Sequence, residues 1–195
     1  MGSDVTFLGR RGIAPARGFT IIELLITVAV VGILAVLAIV VVRKYIHAAY
    51  TGEPKAVFAG IRGAQAVFIS EHGAYANCSA TLDSHYPAAT PDDKKRSFSN
   101  PSFTPASEYD CWNGLNIRTD GPVRYVYSVV AGLGTASMPT IPNIPSQPTW
   151  PPGPGGVRGP WFVLHAAGDI DNDGDLSSFW ASSFDKDVRS NKEDE

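Results

Sequence analysis

One carboxylate, Glu23, stands inside the longest apolar run of the 195-residue chain, FTIIELLITVAVVGILAVLAIVVV at residues 19–42. No charged residue follows it between Leu24 and Val42. A carboxylate one turn into a membrane-spanning helix costs on the order of 2–3 kcal/mol even on lenient insertion scales, so it calls for a partner and a role. A second constellation, Asp169-Ile170-Asp171-Asn172-Asp173-Gly174-Asp175, alternates aspartates and sets glycine after the third. That is how an oxygen-rich Ca²⁺ loop begins, with alternate carboxylates turned onto one ion. Asp169, Asp171, Asp173 and Asp175 are its candidate ligands, and Ca²⁺ is the one candidate cofactor. Trp180 stands where an EF-hand has its closing glutamate, so Asp185 or Asp187 would have to complete the shell. The competing reading is a solvated acidic turn, since Asp, Asn and Gly favour turns without any ion.

Cys78 and Cys111, with 32 residues between them, allow one intramolecular pairing. In a reducing compartment they would be free buried thiols. Beyond a membrane span they would form a disulfide, worth about 3–4 kcal/mol in the chain-entropy model. His47, His72, His85 and His165 are scattered, with no H-x-x-x-H or C-x-x-C spacing. There is no G-x-S-x-G, no Walker loop and no nucleophile–base motif, so no catalysis is expected. The formal charge of −3 gives no basic field for nucleic acid.

These groups must be positioned by two unlike parts. At 1.5 Å per residue, residues 19–42 make a helix of about 36 Å, enough to cross a hydrocarbon core of about 30 Å. The run is too long for a secretory signal core, and no A-x-A-like site follows it. Arg10, Arg11 and Arg17 precede it and Arg43 and Lys44 follow it, which leans towards a cytoplasmic N-terminus. The plain alternative is a signal anchor carrying any periplasmic domain.

Arg17-Gly18-Phe19-Thr20-Ile21-Ile22-Glu23 resembles the class III signal of type IV prepilins and the related pseudopilins. The resemblance implies a leader, residues 1–18, removed by a prepilin peptidase between Gly18 and Phe19, and N-methylation of Phe19. It also implies a retained carboxylate, Glu23, and places Gly32 at a glycine position of the family's helix. An amino-terminal cation on Phe19 could then lie against Glu23 of a neighbouring subunit and fix the register of assembly. Two features depart from the pattern. The leader is longer than the common short ones, and Val40 stands where the family often has proline after Ala38-Ile39.

Beyond Lys44, Tyr45, Ala48, Ala49, Val57, Ile61, Ala64, Phe68 and Ile69 keep helical spacing. Thr51-Gly52-Glu53-Pro54 should weaken or kink the helix, and Gly73 should end it. The stretch Lys55 to Tyr75, ending Glu71-His72-Gly73-Ala74-Tyr75, also looks like the helix end of delta-proteobacterial pilins. The expected domains are thus a helix over 19–73, with 19–42 as membrane span and filament core, and a head over 74–195. Val123 to Val130 and Trp161 to Ala167 read as strands, with weaker candidates in 103–118. Pro139, Pro142, Pro145, Pro148 and Pro151 recur every third residue, the period of a polyproline II rod. Within the proline-rich loop 139–160, that rod would present Trp150 to solvent or a partner. The fold class is α+β and pilin-like, a long N-terminal helix packed on a three- to four-stranded antiparallel sheet.

The leading reading is a structural subunit of a type IV pilus, in the inner membrane as precursor and then extracellular. Its partners would be identical or related pilin subunits, prepilin peptidase and the assembly machinery. The alternatives are a periplasmic pseudopilin of a type II secretion system and a single-span anchored binding domain. Removing the leader, net +2, leaves a mature side-chain charge of −5.

Overall fold

The computed structural model describes residues 18–151 and 158–193. The leader arginines Arg10, Arg11 and Arg17 lie outside the described residues, as do Pro152 to Gly156 of the proline-rich loop. The chain forms two compact units, residues 1–42 and 43–195. Helix α1 spans Ile21–Tyr50 and runs unbroken through Ala38-Ile39-Val40, where no proline interrupts its hydrogen bonds. From Ile21 to Ile39 it has a mean hydropathy of 2.8, and none of its residues is buried.

Helix α2 spans Gly52–His72. The helix expected to run through residues 19–73 is therefore two, meeting at Thr51, and Pro54 explains the break. In the first turn of α2 its missing N–H loses no helical acceptor. Were α1 to continue, the Pro54 ring would clash with the carbonyl of Tyr50, four residues back. At the other end Gly73, at φ 73°, donates its N–H to the Ile69 carbonyl at 2.9 Å. A side chain would strain that left-handed turn.

Four antiparallel strands form one sheet in chain order: β1 (Val126–Gly134), β2 (Arg158–Gly168), β3 (Ser177–Ser182) and β4 (Arg189–Asn191). The architecture is α+β, an apolar N-terminal helix plus a four-stranded antiparallel sheet. Along β2, Phe162, Leu164 and Ala166 share one face because side chains alternate along a strand. With Tyr127, Val129 and Phe179 they form one core with Val57, Phe58 and Ile61 of α2. Burying each of the Val, Leu, Ile and Phe side chains among them stabilises by about 1.5–3 kcal/mol. On the opposite face Trp161 and Val163 pack with Leu82 and Ile141. Burial on both faces is why Trp161 to Ala167 shows an almost unbroken apolar run instead of alternation.

The outer edge of β1 is covered by the segment that follows α2. Tyr86 and Tyr127 exchange backbone hydrogen bonds, Ser79 N–H reaches Val129 O at 3.0 Å, and the Asn77 carboxamide accepts the Ala131 N–H. At the other edge β4 has three residues. Gln65, fully buried on α2, extends the same idea with its side chain. Its amide donates to Ala76 O and accepts Ala76 N–H, both at 2.8 Å.

Two further sequence expectations are corrected. Residues 103–118 hold no strand but a helix, α3 (Ala106–Gly114). Tyr109, Trp112 and Leu115 recur every three residues and turn one face to the core. The proline segment is no continuous rod. Asn143 has φ 56°, and the Gln147 side chain clips both the N–H and the carbonyl of Ile141. The fold-back seats Ile141 in the second core and packs Met138, Ile144 and Trp150 around it, so Trp150 is half-buried.

Candidate functional site

Two places hold the residues singled out by chemistry: the start of α1 and the β2–β3 turn. At the first, the Thr20 hydroxyl accepts the N–H of Glu23 at 3.2 Å, and the Thr20 carbonyl accepts that of Leu24. Thr20 is thus the N-cap and Glu23 the third helical residue, the T-x-x-E order of a capping box. An acidic side chain there also faces the positive end of the helix dipole. This local role for Glu23 was legible in the Thr20–Glu23 spacing, and the sequence reading passed over it. Gly18 and Glu23 are exposed, and Phe19 is 83% exposed. Beyond its chain neighbours and the backbone of its own helix turns, nothing among the described residues lies within 4 Å of where a Cβ on Gly32 would be.

Apart from Thr20 and Thr27, one turn either way, the surface around Glu23 is apolar. Ile21, Ile22, Leu24, Leu25 and Ile26 are each more than half exposed. A helix hydrophobic all round is stable only when something covers it, lipid or other helices. It is long and apolar enough to cross a membrane.

At the second place, one carboxylate oxygen from each of Asp169, Asp171 and Asp173 lies within 4.8 Å of the others. Asp169 follows the last residue of β2 and is buried; Asp171 and Asp173 are exposed. Asn172 at φ 60° and Gly174 at φ 90° fold the turn back, and the Gly174 N–H donates to Asp169 Oδ2 at 3.3 Å. Asp175 stands apart from the three. Its carboxylate pairs with Lys192 at 2.7 Å. Asp185 is held by Arg189 at 3.0 Å, and the Asp187 N–H and that arginine keep its carboxyl below the usual range. Trp180, at the EF-hand's closing position, lies in β3 opposite His165. Strand pairing has replaced the second half of such a loop.

Cys78 and Cys111 are bonded to each other, with Cα atoms 5.2 Å apart, and join the segment after α2 to α3. Beside the bridge Trp112 stacks on Tyr86 at 5.4 Å.

Sequence reasoning missed a buried imidazole pair. The rings of His85 and His165 are 5.6 Å apart, and His165 is fully enclosed. Its Nδ1 meets the Leu82 carbonyl at 3.1 Å and its Nε2 meets the Ser178 hydroxyl at 3.4 Å. Burial, with the neighbouring His85, pushes the His165 imidazole down to about 3; burial also lowers His85. Serine beside histidine suggests a nucleophile and base, yet Ser178 and His165 are both 0% exposed, beyond the reach of a substrate. No spacing in the sequence joins residues 85 and 165. Only the sheet brings them together.

A groove of about 230 Å³ runs between residues 148–151 and β3, lined by Trp150, Trp180, Phe184, Asp185 and Arg189. It takes in neither the histidine pair nor the aspartate turn.

Residues 14–39 match the family model described as the prokaryotic N-terminal methylation motif. No curated protein and no solved structure matches the chain. The chain carries that motif, the class III signal of type IV pilins and pseudopilins, at the head of its exposed apolar helix.

Proposed function

We propose that the chain is a structural subunit of a type IV pilus, cut between Gly18 and Phe19, N-methylated on Phe19 and polymerised through α1. The observation that carries this reading is the coincidence of the methylation motif with the start of an exposed helix that is apolar nearly all round and holds one carboxylate, Glu23. An anchor for a solitary domain needs the apolar surface but not the motif. Cleavage leaves a cationic amino group on Phe19, four residues before Glu23. In a staggered bundle of such helices, the cation of one subunit meets the carboxylate of the next. Such a pair need not add net stability, but deleting one member strands a buried charge, so it selects register.

The same motif also serves pseudopilins, which would form a short periplasmic filament. Intact-mass and N-terminal analysis of protein sheared from cells tests the readings together. A pilus subunit begins at N-methyl-Phe19 and is abundant in the sheared fraction. A pseudopilin has the same terminus but stays with the cells. A chain that begins at Met1 and remains a single membrane-tethered molecule would overturn both.

A further inference from the structure

We propose that the groove between residues 148–151 and β3 is a saccharide-binding site, fitted to one neutral ring with all-equatorial hydroxyls inside a longer chain. Its walls are aromatic. The Trp150 and Phe184 rings stand 6.3 Å apart between centroids and are tilted by 50°, and Trp180 completes the lining. Trp150 and Trp180 are half-buried and Phe184 is 37% exposed, so all three keep ring surface for a ligand. Phe184 is held in place, because its N–H donates to the Ser182 hydroxyl at 3.3 Å. An aromatic face is electron-rich. A pyranose ring whose hydroxyls are all equatorial turns its slightly positive C–H bonds above and below, so both of its faces suit such walls.

The polar groups select the chemistry. Arg189 lies opposite Trp180 across the sheet, so the two side chains share a face. Arg189 holds Asp185 Oδ2 at 3.0 Å, and the Asp187 N–H holds Asp185 Oδ1 at 3.1 Å. Each carboxylate oxygen keeps a second acceptor position, and the guanidinium keeps further donors. A fixed acceptor thus stands beside a fixed donor among aromatic rings. Hydroxyls both donate and accept, so two neighbouring hydroxyls of one ring satisfy both groups. The charges lining the groove are two carboxylates, Asp185 and Asp187, against the one guanidinium of Arg189, which disfavours a phosphate or a uronic acid. A proline-rich peptide also fits aromatic grooves. It brings carbonyl acceptors but few N–H donors, which leaves Asp185 unmatched. Trp180 offers those carbonyls no indole donor, because its Nε1 is buried. At about 230 Å³ the groove is smaller than the roughly 300–1,000 Å³ of pockets for drug-sized ligands, so it takes one ring. Every residue named belongs to the head, so binding does not depend on how the chain assembles.

The test uses the full chain in a detergent without a sugar headgroup, and cellotetraose, a neutral β-linked chain of such rings. Tryptophan fluorescence and saturation-transfer NMR read the binding. The expected result is saturable binding with Kd about 1 mM, the strength that a contact of about a dozen non-hydrogen atoms supports. Phe184→Ala, which removes a wall, and Asp185→Asn, which keeps the shape but removes the charge, should each raise Kd at least about tenfold. Near-UV circular dichroism of both variants should match the parent, and either folded variant alone decides the point. No binding at about ten times the expected Kd would overturn the proposal. So would equal binding by a folded variant, which would put the saccharide elsewhere, or capture of decaproline in the groove in preference to cellotetraose.

Discussion

The Glu53 carboxylate in the first turn of α2 accepts the Tyr127 hydroxyl on β1 at 3.1 Å. The same Oε1 takes the Tyr125 N–H at 3.0 Å, and both carboxylate oxygens accept the Arg124 N–H. One side chain thus satisfies two backbone donors just before β1 begins and ties them to the helix. Burial and the nearby Glu53 charge hold the Tyr127 phenol well above its ordinary range, so it stays a donor.

Glu53→Ala should destabilise the head by about 2–4 kcal/mol, since several charge-assisted hydrogen bonds are lost and two donors are stranded. Tyr127→Phe, which removes one of them, should cost about 1 kcal/mol. Urea unfolding followed by tryptophan fluorescence would rank the two; equal costs would mean that the hydroxyl alone carries the clamp.

Acid should weaken the head through His165. Its folded-state value of about 3 lies below the ordinary 6.5, so the unfolded chain binds the proton more readily. The associated stability is complete above pH 6.5 and is lost progressively as pH falls towards 3. By pH 5 the loss should reach about 2 kcal/mol, at 1.36 kcal/mol per unit. His85, lowered in the same direction, adds to it, although Asp83 opposes that shift. Melting temperature against pH should fall less steeply in His165→Gln.

Gly132 and Trp161 are cross-strand partners, and a Cβ on the glycine would sit 2.4 Å from Trp161 Cζ2. Gly132→Ala should cost about 1–3 kcal/mol by overpacking. Adding Trp161→Leu should recover part of that penalty, because the clashing ring is gone. A double variant less stable than the sum of the singles would remove the steric explanation.

Reducing the Cys78–Cys111 bond, or replacing both residues by serine, should lower stability by about 3–4 kcal/mol through the freed loop. Melting with and without reductant reads this directly, and the serine pair should show no response to reductant.

Glu23→Ala should leave membrane insertion and cutting before Phe19 intact while sheared filaments become scarce, because an uncompensated amino group is left among apolar helices. Glu23→Ala filaments at normal yield would reduce Glu23 to its capping position behind Thr20. Thr20→Ala, which removes only the cap, should cost about 1 kcal/mol of local helix stability and spare assembly.

The parts of this fold that announce themselves locally were readable in the residues. Residues 19–42 are apolar over a span's length, Gly73 follows the last residue of the amphipathic stripe as a helix-ending glycine does, and Trp161 to Ala167 favours a buried strand. What escaped depends on partners distant in sequence. Ser177, Ser178 and Ser182 look like a loop, yet all three are buried in β3. The Ser177 hydroxyl donates to Gly168 O, and that of Ser178 meets His165. The prolines showed a period that Asn143 and Gln147 override by folding the segment onto Trp161. At the aspartate turn the spacing marked all four carboxylates alike, and only Lys192, seventeen residues on, separates Asp175 from the rest.

Segment 77–86 lies along β1, and β4 stops after three residues. Among the described residues the sheet therefore presents no long row of vacant backbone donors and acceptors to a neighbour. Crowding such heads side by side does not invite them to zip together through their strands. That immunity is what a module repeated at high local density requires, and it leaves the bare cylinder of α1 as the surface with most to gain from company.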